Sequence, residues 1–163
     1  MDIKIVPGYD RKDEIRELFS EYTAALIEKN RAFAGYLALQ NYDEELAHLQ
    51  EKYGMPEGRL YLLLCDGKPA GCIALKKFSR DSCELKRLYV RPEYRGRGLA
   101  KRLARKGIEA AGEAGYRHIL LDTFPELKET VGLYRSLGFY EIERYNDNPL
   151  DGWIYMKMDL PQD

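Results

Sequence analysis

The sequence predicts a mixed α+β domain, with elements in the order β-αα-βββ-α-β-α-ββ. Three observations predict it. Short apolar or alternating runs of strand length recur along the chain, and Leu60 to Cys65 is an unbroken apolar run suited to a strand buried on both faces. Asp66-Gly67 is a two-residue hairpin signal between two such runs. A long segment after Gly98 places Leu99, Ala100, Leu103, Ala104, Gly107, Ile108, Ala110 and Ala111 at helical spacing on one face. At 163 residues the chain reads as a single domain over 1–163, with a central sheet of about seven strands and about four helices.

In order, Ile3, Ile5 and Val6 make a first strand. Asp10 with Asp13 reads as a capping box opening a helix whose face is Ile15, Leu18, Phe19, Tyr22 and Leu26. Residues 30–40 read equally as a turn of helix or an ordered loop. Tyr42, Leu46, Leu49 and Tyr53 form a second amphipathic helix, stopped by Gly54-Met-Pro56. After the hairpin, residues 70–78 return as a strand, and Arg80-Asp81 turns the chain into a central strand from Glu84. Gly112 and Gly115 weaken the end of the long helix. Residues 116–123 read as a strand, and residues 127–137 as a helix ended by Gly138. Residues 139–145 and 153–158 are the last strands, joined by the turn-forming run 146–152.

Composition excludes several function classes. Lys+Arg total 26 against 27 Asp+Glu, so bulk charge calls for no nucleic-acid or membrane partner. No apolar run reaches a membrane span and no signal peptide is evident, so the chain reads as cytoplasmic. Cys65, Cys72 and Cys83 lack the paired spacing of a zinc site and read as buried free thiols. His48 and His118 have no partner at diagnostic spacing and read as structural, and no metal site is evident.

The stretch on which the rest is organised runs from Glu84 to Arg105. Leu85, Leu88, Tyr89 and Val90 form a strand ended by Arg91-Pro92. Gly96 and Gly98 occupy the turn, and a helix begins at once. A glycine loop feeding a helix N-terminus presents unpaired N–H groups and a partial positive charge, which together make an anion site. Neither G-x-G-x-x-G nor G-K-[ST] fits here. Arg95-Gly-Arg-Gly98-Leu-Ala100 matches [Arg/Gln]-x-x-Gly-x-[Gly/Ala], and the chain preceding it closely resembles a signature of the GNAT superfamily of N-acetyltransferases. Leu133-Tyr134-Arg-Ser-Leu-Gly138-Phe139 is similar to the Leu-Tyr-x-x-Leu-Gly-Phe of the same family. The resemblance covers residues 61–158.

That resemblance implies a GNAT fold, whose fourth and fifth strands splay to admit acetyl-CoA, and no metal. Leu88, Tyr89 and Val90 would lie along the cofactor. Leu88 would offer a backbone N–H to the acetyl oxygen, and Val90 would pair with the pantetheine amides. The N–H groups of Arg95, Gly96, Arg97, Gly98, Leu99 and Ala100 would cradle the pyrophosphate. Tyr134, a phenol of pKa about 10 beside a thiol of about 8.5, is the candidate acid. Glu84 is the candidate base, at the position where histone-type members carry a catalytic glutamate. It reads alternatively as a strand glutamate paired with Lys or Arg. Many relatives carry Asn where Leu127 stands, so the resemblance gives no ground for an extra side-chain hydrogen bond to the cofactor here.

The expected reaction is acetyl transfer from acetyl-CoA to the amine of a small metabolite, by a monomer or homodimer. Tyr22, Tyr36, Tyr42, Tyr145, Trp153 and Tyr155 supply aromatic walls for a small enclosed pocket, half of them packing in the core. The alternatives are a protein N-terminal or lysine acetyltransferase, a non-catalytic acyl-CoA-binding module, and a nucleic-acid binder using the basic run Arg95 to Lys106. Glu109 and Glu113 on the same helix weigh against the last.

Overall fold

A computed structural model describes residues 1–39 and 41–162. Seven strands, β1 (Ile3–Pro7), β2 (Arg59–Cys65), β3 (Lys68–Lys77), β4 (Ser82–Val90), β5 (His118–Thr123), β6 (Tyr140–Ile142) and β7 (Ile154–Asp159), form one sheet in the order β1-β2-β3-β4-β5-β7-β6. Every neighbouring pair is antiparallel except β4 and β5, which run parallel. This is the mixed α+β arrangement of seven strands expected from the sequence.

Helices cover both faces because the inner strands are apolar on both. Along β2, Leu60, Leu62 and Leu64 pack with Ile15, Leu18, Phe19, Leu49 and Tyr53 of α1 (Lys12–Lys29) and α4 (Leu49–Tyr53). The alternate residues Tyr61, Leu63 and Cys65 pack in the cluster that holds Leu99, Leu103 and Tyr134 of α5 (Leu99–Glu113) and α6 (Lys128–Leu137). Gly107 lets α5 lie close to the sheet, since a Cβ there would stand 3.0 Å from Ile73 Cδ1. The three cysteines are free and buried.

Several elements differ from expectation. Six α-helices are present among the described residues, because the ambiguous stretch forms α2 (Phe33–Leu39) and the segment after it divides into α3 (Tyr42–Ala47) and α4. The division falls at His48, whose φ/ψ of −134°/58° is not helical. Gln40 lies outside the described residues. The Asp10–Asp13 capping box does not form: α1 starts at Lys12 behind Arg11, with no side-chain cap. Only residues 140–142 of the expected strand 139–145 pair in the sheet, and the chain then leaves it. The hairpin does turn at Asp66 and Gly67, with φ of 50° and 80°.

The central strand β4 is irregular along both of its edges. Its parallel ladder with β5 covers only three pairs, Ser82↔His118, Cys83↔Ile119 and Glu84↔Leu120, although both strands continue, so they diverge beyond Glu84. On its other edge the register moves from Cys72↔Tyr89 to Ala74↔Lys86, so that Arg87 and Leu88 together oppose Ile73 in a β-bulge.

Candidate functional site

The bulge places Arg87 in the left-handed region at φ 60°, a conformation that costs a non-glycine residue about 1–2 kcal/mol. Its guanidinium offsets this by a buried fork onto Glu45 of α3, with Nε–Oε2 and Nη2–Oε1 both 2.8 Å. Lys52 of α4 also donates to Glu45. Burial alone would push the Glu45 carboxyl up, but the charge and hydrogen bonds of Arg87, then Lys52, outweigh it and hold the group at about 2. The short helices are thereby fastened to the bulge. At the strand's end Arg91 reaches Glu17 and Glu21 of α1, both at 2.7 Å.

Beyond the bulge the chain passes through a 3₁₀ turn, Pro92–Tyr94, to Gly96 (φ 79°) and Gly98 (φ 72°), the N-cap of α5. A Cβ at either glycine would meet no atom within 4 Å, so these residues are required by backbone conformation rather than by packing. Arg95 is engaged locally, donating to the Val90 carbonyl at 2.9 Å and lying over the Tyr89 ring. The first N–H groups of α5, on Leu99, Ala100 and Lys101, have no intrahelical acceptor and form an anion-binding nest with the glycine loop. Such a nest has the form to hold an anionic group.

A cavity of about 710 Å3 runs from this loop through the gap between β4 and β5 to α1 and α2. Leu88, Tyr89, Val90, Arg95, Gly96, Gly98, Leu99 and Ala100 line it, as does Tyr134. Arg97 does not. Burial pushes the Tyr134 phenol well up, with Tyr22 and Asp122 adding to the effect, so it stays protonated. Glu84 is buried one step behind the cavity wall, where its Oε2 accepts a hydrogen bond from Tyr145 at 2.8 Å. Of the six aromatics expected to wall the pocket, Tyr22, Tyr36 and Trp153 line it. Phe33 and Phe124 join them, with Phe33 stacked on Trp153 at 5.7 Å.

Sequence reasoning missed several charged residues in this cavity, among them Lys86 on β4 and Asp122 on β5, with Lys29, Arg87, Lys101, Glu126, Lys128 and Glu129 also on its lining. Tyr36 and Asn146 donate to Asp122 Oδ2 at 2.7 and 2.9 Å. Burial pushes Lys86 down to about 8, with Glu84 and Asp122 only partly opposing it. A strand position two residues beyond each of Glu84 and Leu120 was the available signal, but its meaning depends on where the ladder ends. Leu127 lines the cavity where the expected asparagine would be. His48 is exposed beside Glu44 and Glu51, and His118 pairs with Asp159 at 2.7 Å. Both histidines lie outside the cavity lining. No helix among the described residues is long and apolar enough to cross a membrane.

The model of the acetyltransferase (GNAT) family matches residues 12–139. An uncharacterized N-acetyltransferase of Schizosaccharomyces pombe is 37% identical over 150 residues, covering 91% of this chain and 88% of the relative. The human N-acetylaspartate synthetase is 33% identical over 97 residues, which are 58% of this chain and 32% of that protein. Among solved structures, the PaiA N-acetyltransferase of Thermoplasma acidophilum, in complex with coenzyme A, superposes with a TM-score of 0.72 at 18% identity, covering 98% of this chain and all of that one.

Proposed function

Because the chain belongs to the GNAT family of acetyltransferases, we propose that it transfers acetyl from acetyl-CoA to the amine of a small metabolite. One observation carries this reading: a single cavity joins the glycine loop, the bulged strand, Tyr134 and the aromatic helices. The coenzyme A complex of the Thermoplasma protein and the name of the N-acetylaspartate synthetases support it.

Acetyl-CoA supplies the acetyl group as an activated thioester. The N–H groups around Gly96, Gly98, Leu99 and Ala100 would hold its pyrophosphate, and Val90 would align its pantetheine arm. The Leu88 N–H, presented at the bulge, would meet the carbonyl oxygen as negative charge develops there. As the amine nitrogen bonds the carbonyl carbon, the C–S bond breaks and Tyr134 passes its proton to the departing sulfur. An alkyl amine of pKa about 10 must also lose a proton. Glu84 could take it only through water or the Tyr145 hydroxyl, since its carboxylate lies behind the wall. Asp122, which lines the cavity, offers the more direct route.

Calorimetry with acetyl-CoA and thiol release with free amines and short peptides test the reading. Binding together with turnover of free amines is expected. Turnover of peptides alone, with efficiency depending on residues past the first, overturns the small-molecule acceptor. Glu84→Gln and Asp122→Asn separate the two bases, because loss of the base should shrink as pH rises and more amine is already neutral. A loss independent of pH marks a positioning residue.

A further inference from the structure

The parallel ladder pairs Ser82, Cys83 and Glu84 with His118, Ile119 and Leu120 at a constant offset. Continued by two residues, it would set Lys86 directly beside Asp122. The strands diverge before that point, so an acid and a base that would be cross-strand neighbours stand on opposite walls of the cavity. They form no ion pair among the described residues, and the Lys86 ammonium makes no hydrogen bond there. On Asp122 both donors land on Oδ2, leaving Oδ1 without one among the described residues. The Trp153 indole N–H, on the same cavity lining, is buried and likewise has no acceptor among the described residues.

Lys86 and Asp122 are both half-buried, so setting their charges on opposite walls leaves each to be met by water or by a ligand in the cavity. The neighbouring Arg87 forks onto Glu45, so Lys86 is the lysine that β4 itself brings to a lining that also holds Lys29, Lys101 and Lys128 from the helices. A ligand carrying both charges a few bonds apart resolves the arrangement, with an anion for Lys86 and an amine for Asp122.

We propose that Lys86 and Asp122 form the acceptor subsite for a zwitterionic amino acid, Lys86 binding its carboxylate and Asp122 Oδ1 facing its amine. This rests on the acetyltransferase reading and narrows its acceptor from amines in general to amino acids. The subsite also orients the reaction, because a carboxylate anchored on β4 turns the amine toward β5, where Asp122 can receive its proton.

The test uses acidic, neutral and basic L-amino acids, each paired with its α-carboxamide, and reads thiol release for the wild type and Lys86→Met. A charge-assisted hydrogen bond to the half-buried Lys86 ammonium predicts that the wild type favours the acid by about 10- to 150-fold in kcat/KM, mainly through KM. In Lys86→Met that preference should collapse to within about threefold, with Lys86→Arg restoring part of it. Without turnover, the preferred amino acid should raise the Tm of the wild type and not that of Lys86→Met. Equal use of acid and carboxamide by the wild type overturns the proposal, as does an equal loss on both in Lys86→Met, which would place Lys86 in cofactor binding or proton transfer. Acetyl-CoA calorimetry keeps the two readings apart. Binding with no amino acid turned over sinks the zwitterion subsite alone, and no binding sinks the acetyltransferase assignment with it.

Discussion

The two ends of the cavity are built in different ways. At the glycine-loop end the proposed contacts are backbone N–H groups, set by two left-handed glycines and the first turn of α5, and the nearby Arg95 side chain serves mainly to hold the loop. At the other end the contacts are side chains drawn from α1, α2, β4, β5 and the chain before β7. The first end occupies a few consecutive residues, and its chemistry is independent of most side chains. The second is assembled from positions far apart in sequence, each of which would be unremarked alone. A backbone-built end can serve one cofactor group on many sequences, whereas a side-chain-built end is specific to this chain.

If that contrast holds, the largest effect should come from the backbone end. Gly98→Val puts a β-branched residue at φ 72°, and acetyl-CoA binding should fall below detection by calorimetry while the far-ultraviolet circular dichroism stays native. Unchanged affinity would break the comparison. Tyr134→Phe should lower kcat by about ten- to a thousandfold with a modest change in KM for acetyl-CoA. A loss confined to cofactor affinity would show that Tyr134 positions the thioester rather than protonating the sulfur.

Beside the bulge, Glu45→Gln removes the carboxylate that Arg87 and Lys52 share and should cost about 3–5 kcal/mol in denaturant unfolding. The same pair has a pH signature. The Glu45 carboxyl is held at about 2 against an ordinary 4.5, so its stabilisation is complete above about pH 4.5 and is lost as pH falls toward 2. Glu45→Gln should flatten the acid limb of the stability profile over that window, and an unaltered limb would assign the acid sensitivity to other groups. The smallest effect expected is from Tyr145→Phe, which removes one hydrogen bond to Glu84 worth about 1 kcal/mol. It should change kcat/KM by less than tenfold, and a larger loss would place the Tyr145 hydroxyl on the proton path.

The same contrast explains what could be read from the chain. The fold, the strand–loop–helix unit and the position of Tyr134 were legible because each depends on local periodicity or on a contiguous motif. The breaking of the 42–53 segment at His48 was not, since its apolar positions keep helical spacing through the break and tertiary packing overrides them. The Asp10–Asp13 cap failed because Gly8 and Arg11 start the helix by backbone bonds, Gly8 accepting from the Arg11 N–H and Arg11 from the Ile15 N–H, both at 3.1 Å. Glu84 was singled out by the family resemblance, but spacing along a strand gives no account of Tyr145, which arrives from 61 residues away to cover it. Arg87 resembles any other basic residue of the run until the bulge turns it against Glu45.

The three-pair ladder between β4 and β5 also bears on how the molecule breathes. Beyond Glu84 the amides that β4 turns toward the gap have no strand to receive them, so they are hydrogen-bonding capacity that only water or a guest can use. A guest lying there would act as a surrogate strand, completing the sheet with a non-protein backbone. Amide exchange along residues 85–90 would then slow on loading far more than the surrounding side-chain contacts alone would cause, making the filled protein the first form in which β4 is bridged along its whole length.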